Sequence, residues 1–415
     1  MISLLRSIFT RRILLIAAPL AVCLALFFPG IASAHAILLR SDPAADAVLR
    51  NGPPSQVRMW FSENLNPAFS TAQVVNTNRQ RVDNRDAHVS PSNALEMDVS
   101  LQSNLPPGVY TVVWRTDSAN DGHILLGSFI FSVARPDGSV PTLSPGTNPG
   151  AGLLGGNLNS GSAGQLDGPT FFNFVMITLV ELGAVFWVGA QLWITFVLQP
   201  VGEDHAELSA ANSRMKQRFD RLFSLPTLIV LFLANIGVIV GQALILTGGQ
   251  IGSALAPSLL VQLATSGRFG TFWTMREIVI AVALILAIYR VLSQSRSRIV
   301  NTMLPWINLV LGLALLIAIT MSGHASAVNT NIVVFSIVLD WLHLLAAALW
   351  IGGMMFIATT YLPVLRKYSM LERTRSLVTT LPYYSPWALA GVFIMAVSGP
   401  FNADFHLTAW NQFFT

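Results

Sequence analysis

The stretch FFNFVMITLVELGAVFWVGAQLWITFVL, residues 171–198, contains a single ionisable side chain, Glu181. A run of this length and apolarity is typical of a helix that crosses a bilayer, which needs about 20 residues. Further apolar runs follow it, separated by short polar loops, so residues 170–415 are predicted to form an all-α polytopic transmembrane bundle of about six helices. The predicted spans are 171–198, 223–247, 271–292, 303–321, 332–358 and 386–405.

The composition of the whole chain agrees with a membrane protein. Of 415 residues, 53% are hydrophobic and 11% are charged, whereas soluble domains carry about 25% charged residues. This composition excludes a cytosolic enzyme, a disordered protein and a disulfide scaffold. The net charge of +4 comes from basic residues in short loops rather than from a basic stripe, so no nucleic acid is expected as a partner and the lipid bilayer is.

Residues 1–34 have the pattern of a secretory signal peptide. Arg6, Arg11 and Arg12 precede an apolar segment that ends at Pro29-Gly30, and Ala32-Ser33-Ala34 matches a cleavage site. Cleavage there would make His35 the first residue and would remove Cys23, the one cysteine of the chain. The alternative is an uncleaved anchor helix.

The distribution of basic residues predicts the orientation in the membrane. The loops after spans one, three and five hold most of the basic residues between spans, whereas the opposite loops hold only Arg268. Since cytoplasmic loops carry the excess of Lys and Arg, we expect a multi-pass protein of the cytoplasmic (inner) membrane, with the N-terminal domain on the extracytoplasmic side. The basic residues are Arg214, Lys216, Arg218, Arg221, Arg296, Arg298, Arg366, Lys367, Arg373 and Arg375.

Residues 35–134 have the pattern of a soluble β domain. Apolar residues alternate with other residues in three segments, which predicts strands with one buried face. The alternating positions are Val57, Met59 and Phe61, then Tyr110, Val112 and Trp114, then Phe129, Phe131 and Val133. Turn signals between the segments favour an antiparallel sandwich or barrel. The Gly-, Pro-, Ser- and Asn-rich residues 135–169 are predicted to be a flexible linker.

A metal-binding pattern lies in this β domain. Asp121 and His123 are two residues apart in Asp121-Gly122-His123, and cleavage before His35 would supply an α-amine and an imidazole at the N-terminus. Nitrogen ligands with one carboxylate suit Cu(II). We therefore expect His35, Asp121 and His123 to bind Cu(II), with Ser118 and Asn120 as hydrogen-bonding neighbours of the ligands.

Ionisable residues inside the apolar spans mark a second candidate site, because such residues are costly in a bilayer. They fall in the outer half of the predicted bundle at about 1.5 Å per residue. Either they line one cavity or they form an ion-pair network that pins helices together. Asp340 precedes His343 by three residues on one helical face and is a candidate to orient its imidazole. The residues are Glu181, Arg276, Glu277, His324, Asp340 and His343.

Residues 35–134 resemble the CopC family of periplasmic copper-binding proteins. The resemblance is carried by His35-Ala36, Phe61-Ser62-Glu63, the segment from Tyr110 to Arg115, Asp121-Gly122-His123 and the segment from Gly127 to Val133. It implies a Greek-key, Ig-like β barrel and a Cu(II) site built from the N-terminal His and the Asp-x-His pair.

The region from about 171 to the end resembles the CopD family of copper-resistance membrane proteins. The matching motifs are Gly270 to Arg276, Ser322-Gly323-His324-Ala325, Asp340-Trp341-Leu342-His343 and Tyr384-Ser385-Pro386. The resemblance implies a fusion of a CopC-like and a CopD-like domain. CopD-like domains continue past a sixth helix, so truncation of this chain is one expectation.

These observations together favour copper handling. The expected function is extracytoplasmic Cu(II) binding coupled to copper transport, in the direction of import, with other copper-handling proteins as partners and no enzymatic activity. His324, Asp340 and His343 are the expected membrane copper path, with Glu181, Arg276 and Glu277 in support. The alternatives are a copper histidine-brace oxygenase, a haem-binding electron carrier that uses the two membrane histidines, and a metal sensor without transport.

Overall fold

The computed structural model describes residues 36–142, 149–150, 153–155, 167–293, 298–323 and 332–406. The predicted signal peptide, His35, His324 and most of the predicted linker lie outside these residues. The flexibility of the linker therefore stays a prediction.

The N-terminal part is an all-β domain of eight strands. The strands are β1 (Leu38–Asp42), β2 (Val48–Leu49), β3 (Gln56–Phe61), β4 (Thr71–Asn76), β5 (His88–Val89), β6 (Glu96–Ser100), β7 (Gly108–Asp117) and β8 (Ile124–Val133). They form two four-stranded sheets, ordered β1-β3-β6-β5 and β2-β8-β7-β4. All pairings are antiparallel except the short β2–β8 pair, and the predicted β fold class is confirmed.

The alternating apolar residues fill the space between the sheets, as the sequence predicts. Val57, Met59 and Phe61 of β3 are at most 1% exposed, and the edge of the Trp114 ring packs on Phe61 with 5.2 Å between centroids. Trp114 also lies opposite Gly127 in the β7–β8 pair. A Cβ atom on Gly127 would lie 2.1 Å from the Trp114 ring, so this position has room only for glycine.

Strand β7 departs from a simple pattern of one buried and one exposed face. Thr111 and Val113, on the side opposite Val112, are also buried. The chain after the β domain packs near this sheet, because residues 153–155 contact β7 and Arg79 Nε donates to the carbonyl of Pro149 at 3.2 Å. The second face of the sheet is therefore partly covered by the protein itself.

The C-terminal part is helical. Its helical segments are α1 (Gly168–Asp204), α2 (Ala206–Leu246), α3 (Ile251–Ala254), α4 (Pro257–Thr265), α5 (Gly267–Ser293), α6 (Arg298–Met321), α7 (Val333–Leu365) and α8 (Met370–His406). Within the described residues, five of them are long and apolar enough to cross a membrane, namely α1, α2, α6, α7 and α8. The predicted span 271–292 lies in α5, which is not among the five, so the sixth crossing stays a prediction.

The helices are longer than the predicted spans. Helix α1 continues to Asp204, and α8 begins at Met370 although span six was predicted to begin at 386. The early start was missed because Pro382 and Pro386 indicate a helix boundary in a sequence, whereas the helix continues through both. Proline is tolerated inside membrane helices because neighbouring groups satisfy the freed carbonyls.

Two glycines allow α1 and α7 to approach closely. A Cβ atom on Gly189 would lie 2.3 Å from the carbonyl oxygen of Ala348, and one on Gly352 would lie 2.3 Å from that of Val185. Small residues at such crossings let helix backbones pack directly, which is how helices associate in a membrane without a hydrophobic driving force.

The Gly127→Ala substitution is expected to lower the stability of the β domain by about 1–3 kcal/mol, because the new methyl group overlaps the Trp114 ring. The measurement is the urea midpoint of the full chain in detergent, followed by tryptophan fluorescence. Gly252→Ala is the matched control, since nothing lies within 4 Å of its Cβ position. Equal midpoints for the two variants would contradict this packing.

Candidate metal centres

The turn between β7 and β8 holds the predicted Asp-x-His pair. It is closed by backbone hydrogen bonds from the Ser118 amide to the His123 carbonyl and from the Gly122 amide to the Ser118 carbonyl, each 2.9 Å. Gly122 adopts a φ of 74°, which favours glycine. The Asp121 carboxylate accepts from the His123 amide at 3.1 Å, and its other oxygen lies 3.0 Å from His123 Nδ1.

Two further carboxylates lie beside this pair. Glu63, Asp117 and Asp121 are 7%, 3% and 2% exposed, and the charges of all three act on His123. Ser118 Oγ donates to Glu63 at 2.6 Å, and Asn66 Nδ2 donates to Asp117 at 2.8 Å. Three nearly buried carboxylates therefore act on one imidazole, and Asp121 is in contact with it.

The electrostatics of this cluster favour added positive charge. Burial, and then the charge of Asp121, raises the pKa of Glu63 to about 7. Burial also raises the pKa of Asp117 to about 7 despite the hydrogen bond from Asn66. Burial opposes protonation of His123, but the neighbouring carboxylates outweigh it and raise the pKa of this imidazole. A cation would meet both nitrogen and oxygen ligands here, the donor types that suit Cu(II).

The predicted three-residue site is described only in part. Asp121 and His123 lie together, whereas His35 lies outside the described residues. Within those residues, His, Cys, Asp and Glu form no group of three or more that could hold a metal ion. Sequence reasoning missed Asp117, whose charge acts on His123. The available signal was its position at the end of the strand that precedes the Asp121-Gly122-His123 turn.

The candidate residues of the helical domain form one electrostatic network. Glu181 of α1 interacts with Arg276 of α5 and with Asp340 of α7. Arg276 also interacts with Glu277, and Asp340 interacts with His343. The structure thus brings together five of the six predicted residues from three helices, and the sixth, His324, lies outside the described residues.

His343 is oriented by a residue that the sequence analysis did not select. Its Nδ1 lies 2.8 Å from Ser398 Oγ, and that hydroxyl donates to the carbonyl of Ile394 at 2.7 Å. Because the hydroxyl proton is engaged, Nδ1 donates to Ser398, which leaves Nε2 with a lone pair for a ligand. Asp340 Oδ1 accepts from Asn402 Nδ2 at 3.3 Å, and its charge acts on His343; that Asp340 orients the imidazole stays a prediction.

Amide side chains extend this polar network into α2. Asn235 Nδ2 donates to Glu277 Oε2 at 2.7 Å, and Gln242 lies two turns further along the same helix. Both side chains are at most 4% exposed. The signal available in the sequence was an amide inside an apolar run, since polar side chains in membrane helices bond across helices.

Two family models match the chain. The CopC domain matches residues 38–134, and the Copper resistance protein D-like, N-terminal domain matches residues 170–333. Solved structures similar to the chain include CopC from Methylosinus trichosporium OB3b, with 26% identity and a TM-score of 0.22, covering 24% of this chain and 93% of that one. PcoC, a methionine-rich copper resistance protein from Escherichia coli, has 32% identity and a TM-score of 0.21, covering 24% and 98%.

Curated relatives match either the whole chain or its β domain. Copper transport protein CutJ of Bacillus subtilis (strain 168) is 26% identical over 388 residues, which is 94% of this chain and 64% of CutJ. Protein YobA of Escherichia coli (strain K12) is 33% identical over 100 residues, 24% of this chain and 79% of YobA. Copper resistance protein C of Pseudomonas syringae pv. tomato is 32% identical over 109 residues, 25% and 84%. The β domain belongs to the CopC family, and in this chain it is followed by a Copper resistance protein D-like, N-terminal domain.

Proposed function

We propose that this protein binds Cu(II) at the β7–β8 turn, outside the cytoplasmic membrane, and passes copper inward through its helical domain. The observation that carries the proposal is the contact of 3.0 Å between Asp121 and His123 within a cluster of nearly buried carboxylates. Burying negative charge is costly unless it is paired. A divalent cation bound there offsets that cost and uses the imidazole as a ligand.

The start of the described chain supports His35 as the third ligand. Ala36 is fully buried, and its carbonyl accepts from Thr116 Oγ1 at 3.4 Å. The next residue, Ile37, donates its amide to Ser62 Oγ at 2.9 Å. Thr116 and Ser62 directly precede Asp117 and Glu63 of the acidic cluster, so the chain is anchored beside the site at the point where His35 joins it.

The helical domain supplies the onward path in this proposal. His343 Nε2 carries the lone pair, since Nδ1 donates to Ser398. The charge of Asp340 acts on His343, and Glu181 interacts with Asp340. Arg276 limits that charge by its interactions with Glu181 and Glu277. Ligands of this kind are needed because the bilayer supplies none to a cation.

Similarity to CutJ supports transport as the activity, since that relative is named a copper transport protein. The extracytoplasmic position of the β domain rests on the signal-peptide pattern and on the loop charges. The inward direction rests on the resemblance to the copper-handling families, which suggests uptake. Other copper-handling proteins are the expected partners on either side.

The His123→Ala variant is expected to lose Cu(II) affinity by about 100-fold or more, because it removes the imidazole from the cluster. The measurement is a competition titration of the purified full chain with a Cu(II) chelator. His88→Ala is the matched control, since His88 is exposed and its Nδ1 contacts the carbonyl of Asp86. Equal affinity of the two variants would place the Cu(II) site elsewhere.

The His343→Ala variant is expected to abolish copper transport while Cu(II) binding by the β domain persists, because the ring nitrogen on the membrane path is lost. Copper uptake into proteoliposomes and Cu(II) binding are measured on the same preparation. His205→Ala, a histidine between α1 and α2 that contacts Glu207, is the control. Transport by His343→Ala at the control rate would exclude His343 from the path.

A further inference from the structure

The β7–β8 turn is bound directly to the helical domain. The amide of Arg268, in the first turn of α5, donates to the carbonyl of Ala119 at 3.1 Å. Beside it, Arg115 Nη1 of β7 donates to the carbonyl of Leu246 at the end of α2, also at 3.1 Å. Strand β7 and the turn after it, which carries Asp121 and His123, therefore contact the ends of α2 and α5, and this contact surface is called the seat of the β domain.

Apolar packing completes this seat. Phe69 of the β domain is 6% exposed and joins a cluster of helical-domain residues, namely Ile239, Ala243, Leu246, Ala254 and Leu263. Gly122 of the turn faces Phe269 of α5, and a Cβ atom there would lie 2.7 Å from the Phe269 ring. Close packing of this kind fixes the position of the turn, since protein interiors tolerate little change in volume.

A small pocket lies at the seat between the two domains. Asn66, Asp117 and Ser118 line it from the β domain, and Gln242, Ser266 and Phe269 are among the helical residues that line it. Gln242 is 4% exposed, and its Oε1 has no hydrogen-bond partner in the part of the chain that the structure describes. Gln242, which carries this unpartnered oxygen, thus lines the same pocket as Asp117.

Beyond the pocket, polar oxygens continue along α2. Asn235 precedes Gln242 by seven residues, which places it about 10 Å along the same helical face. Its Nδ2 donates to Glu277 Oε2 and to the carbonyl of Trp273. Within the described ranges, neither Asn235 Oδ1 nor Glu277 Oε1 has a hydrogen-bond partner, and Glu277 interacts with Arg276 of the membrane network.

We propose that this pocket is a copper transfer site, through which the ion passes from the Asp117 side to Gln242 while the β domain stays seated on the helices. The inference rests on the proposed function and deepens it, because it makes the β domain a fixed cap over the path. Gln242 Oε1 is the first oxygen of the membrane domain to meet the ion. Carbonyl and carboxylate oxygens with an imidazole nitrogen are ligands that Cu(II) accepts.

The role of Gln242 is tested by removing its oxygen. Gln242→Leu is expected to lower copper uptake by the full chain in proteoliposomes about tenfold or more, with Cu(II) binding unchanged. Gln242→Glu keeps an oxygen at this position and is expected to retain uptake. Gln250→Leu, at an exposed glutamine after α2, is the matched control. Uptake by Gln242→Leu at the control rate would overturn the transfer site.

Transfer in the seated state is tested by a disulfide across the interface. The hydrogen bond between Arg268 and Ala119 places the two residues within reach of a disulfide, so Ala119→Cys with Arg268→Cys is expected to lock the β domain in place. The oxidised double variant is expected to take up copper at the rate of the two single-cysteine variants.

Loss of uptake on oxidation, with recovery after reduction, would show that the β domain must leave its seat and would overturn the inference. Absence of copper uptake by the unsubstituted protein in the same vesicles would instead refute the proposed function, and the inference with it. The two failures are therefore distinguished within one experiment.

Discussion

Burial of negative charge beside one imidazole is the constraint on which the β domain's site depends. Removing a carboxylate from water costs free energy unless hydrogen bonds or opposite charge compensate it. The fold supplies some compensation, through the hydrogen bonds of Ser118 to Glu63 and of Asn66 to Asp117. His123, in contact with Asp121, supplies more when it is protonated. A bound divalent cation would compensate the carboxylates more fully than the protein groups do.

An excess of carboxylates over basic groups also occurs in the helical domain. Glu181, Glu277 and Asp340 interact through a network that contains Arg276, so carboxylates again outnumber the basic group among these residues. Asn235 of α2 donates to Glu277 of this network, and Gln242 of the same helix lines the pocket at the seat of the β domain. In the proposed function, these two acidic clusters and the amide oxygens between them are the path of the ion.

The sequence predicted the parts of this structure that depend on local periodicity. Alternation in β3, β7 and β8 identified the strands and their buried side chains, and the long apolar runs identified the helices. Asp121 and His123 were selected because residues two apart share one face of an extended segment; in the structure, a turn with Gly122 at a φ of 74° brings them together instead. Each of these patterns is contained within one element.

Features that depend on tertiary packing were not predictable in this way. Asp117 contributes to the site because β7 ends beside Asn66, which is 51 residues away in sequence. Ser398 orients His343 because α8 packs on α7, and the extension of α8 through Pro382 and Pro386 depends on neighbouring helices that no local signal reveals. The packing of Gly122 against Phe269 likewise depends on tertiary structure. The residues that connect the two domains predict only a linker and give no sign of this contact.

The most direct test of the account is an anomalous diffraction measurement at the copper edge on crystals of the full chain grown with Cu(II). The account predicts an anomalous peak at bonding distance from a ring nitrogen of His123 and beside the Asp121 carboxylate. A copper peak at full occupancy elsewhere in the β domain, with none beside His123, would contradict it.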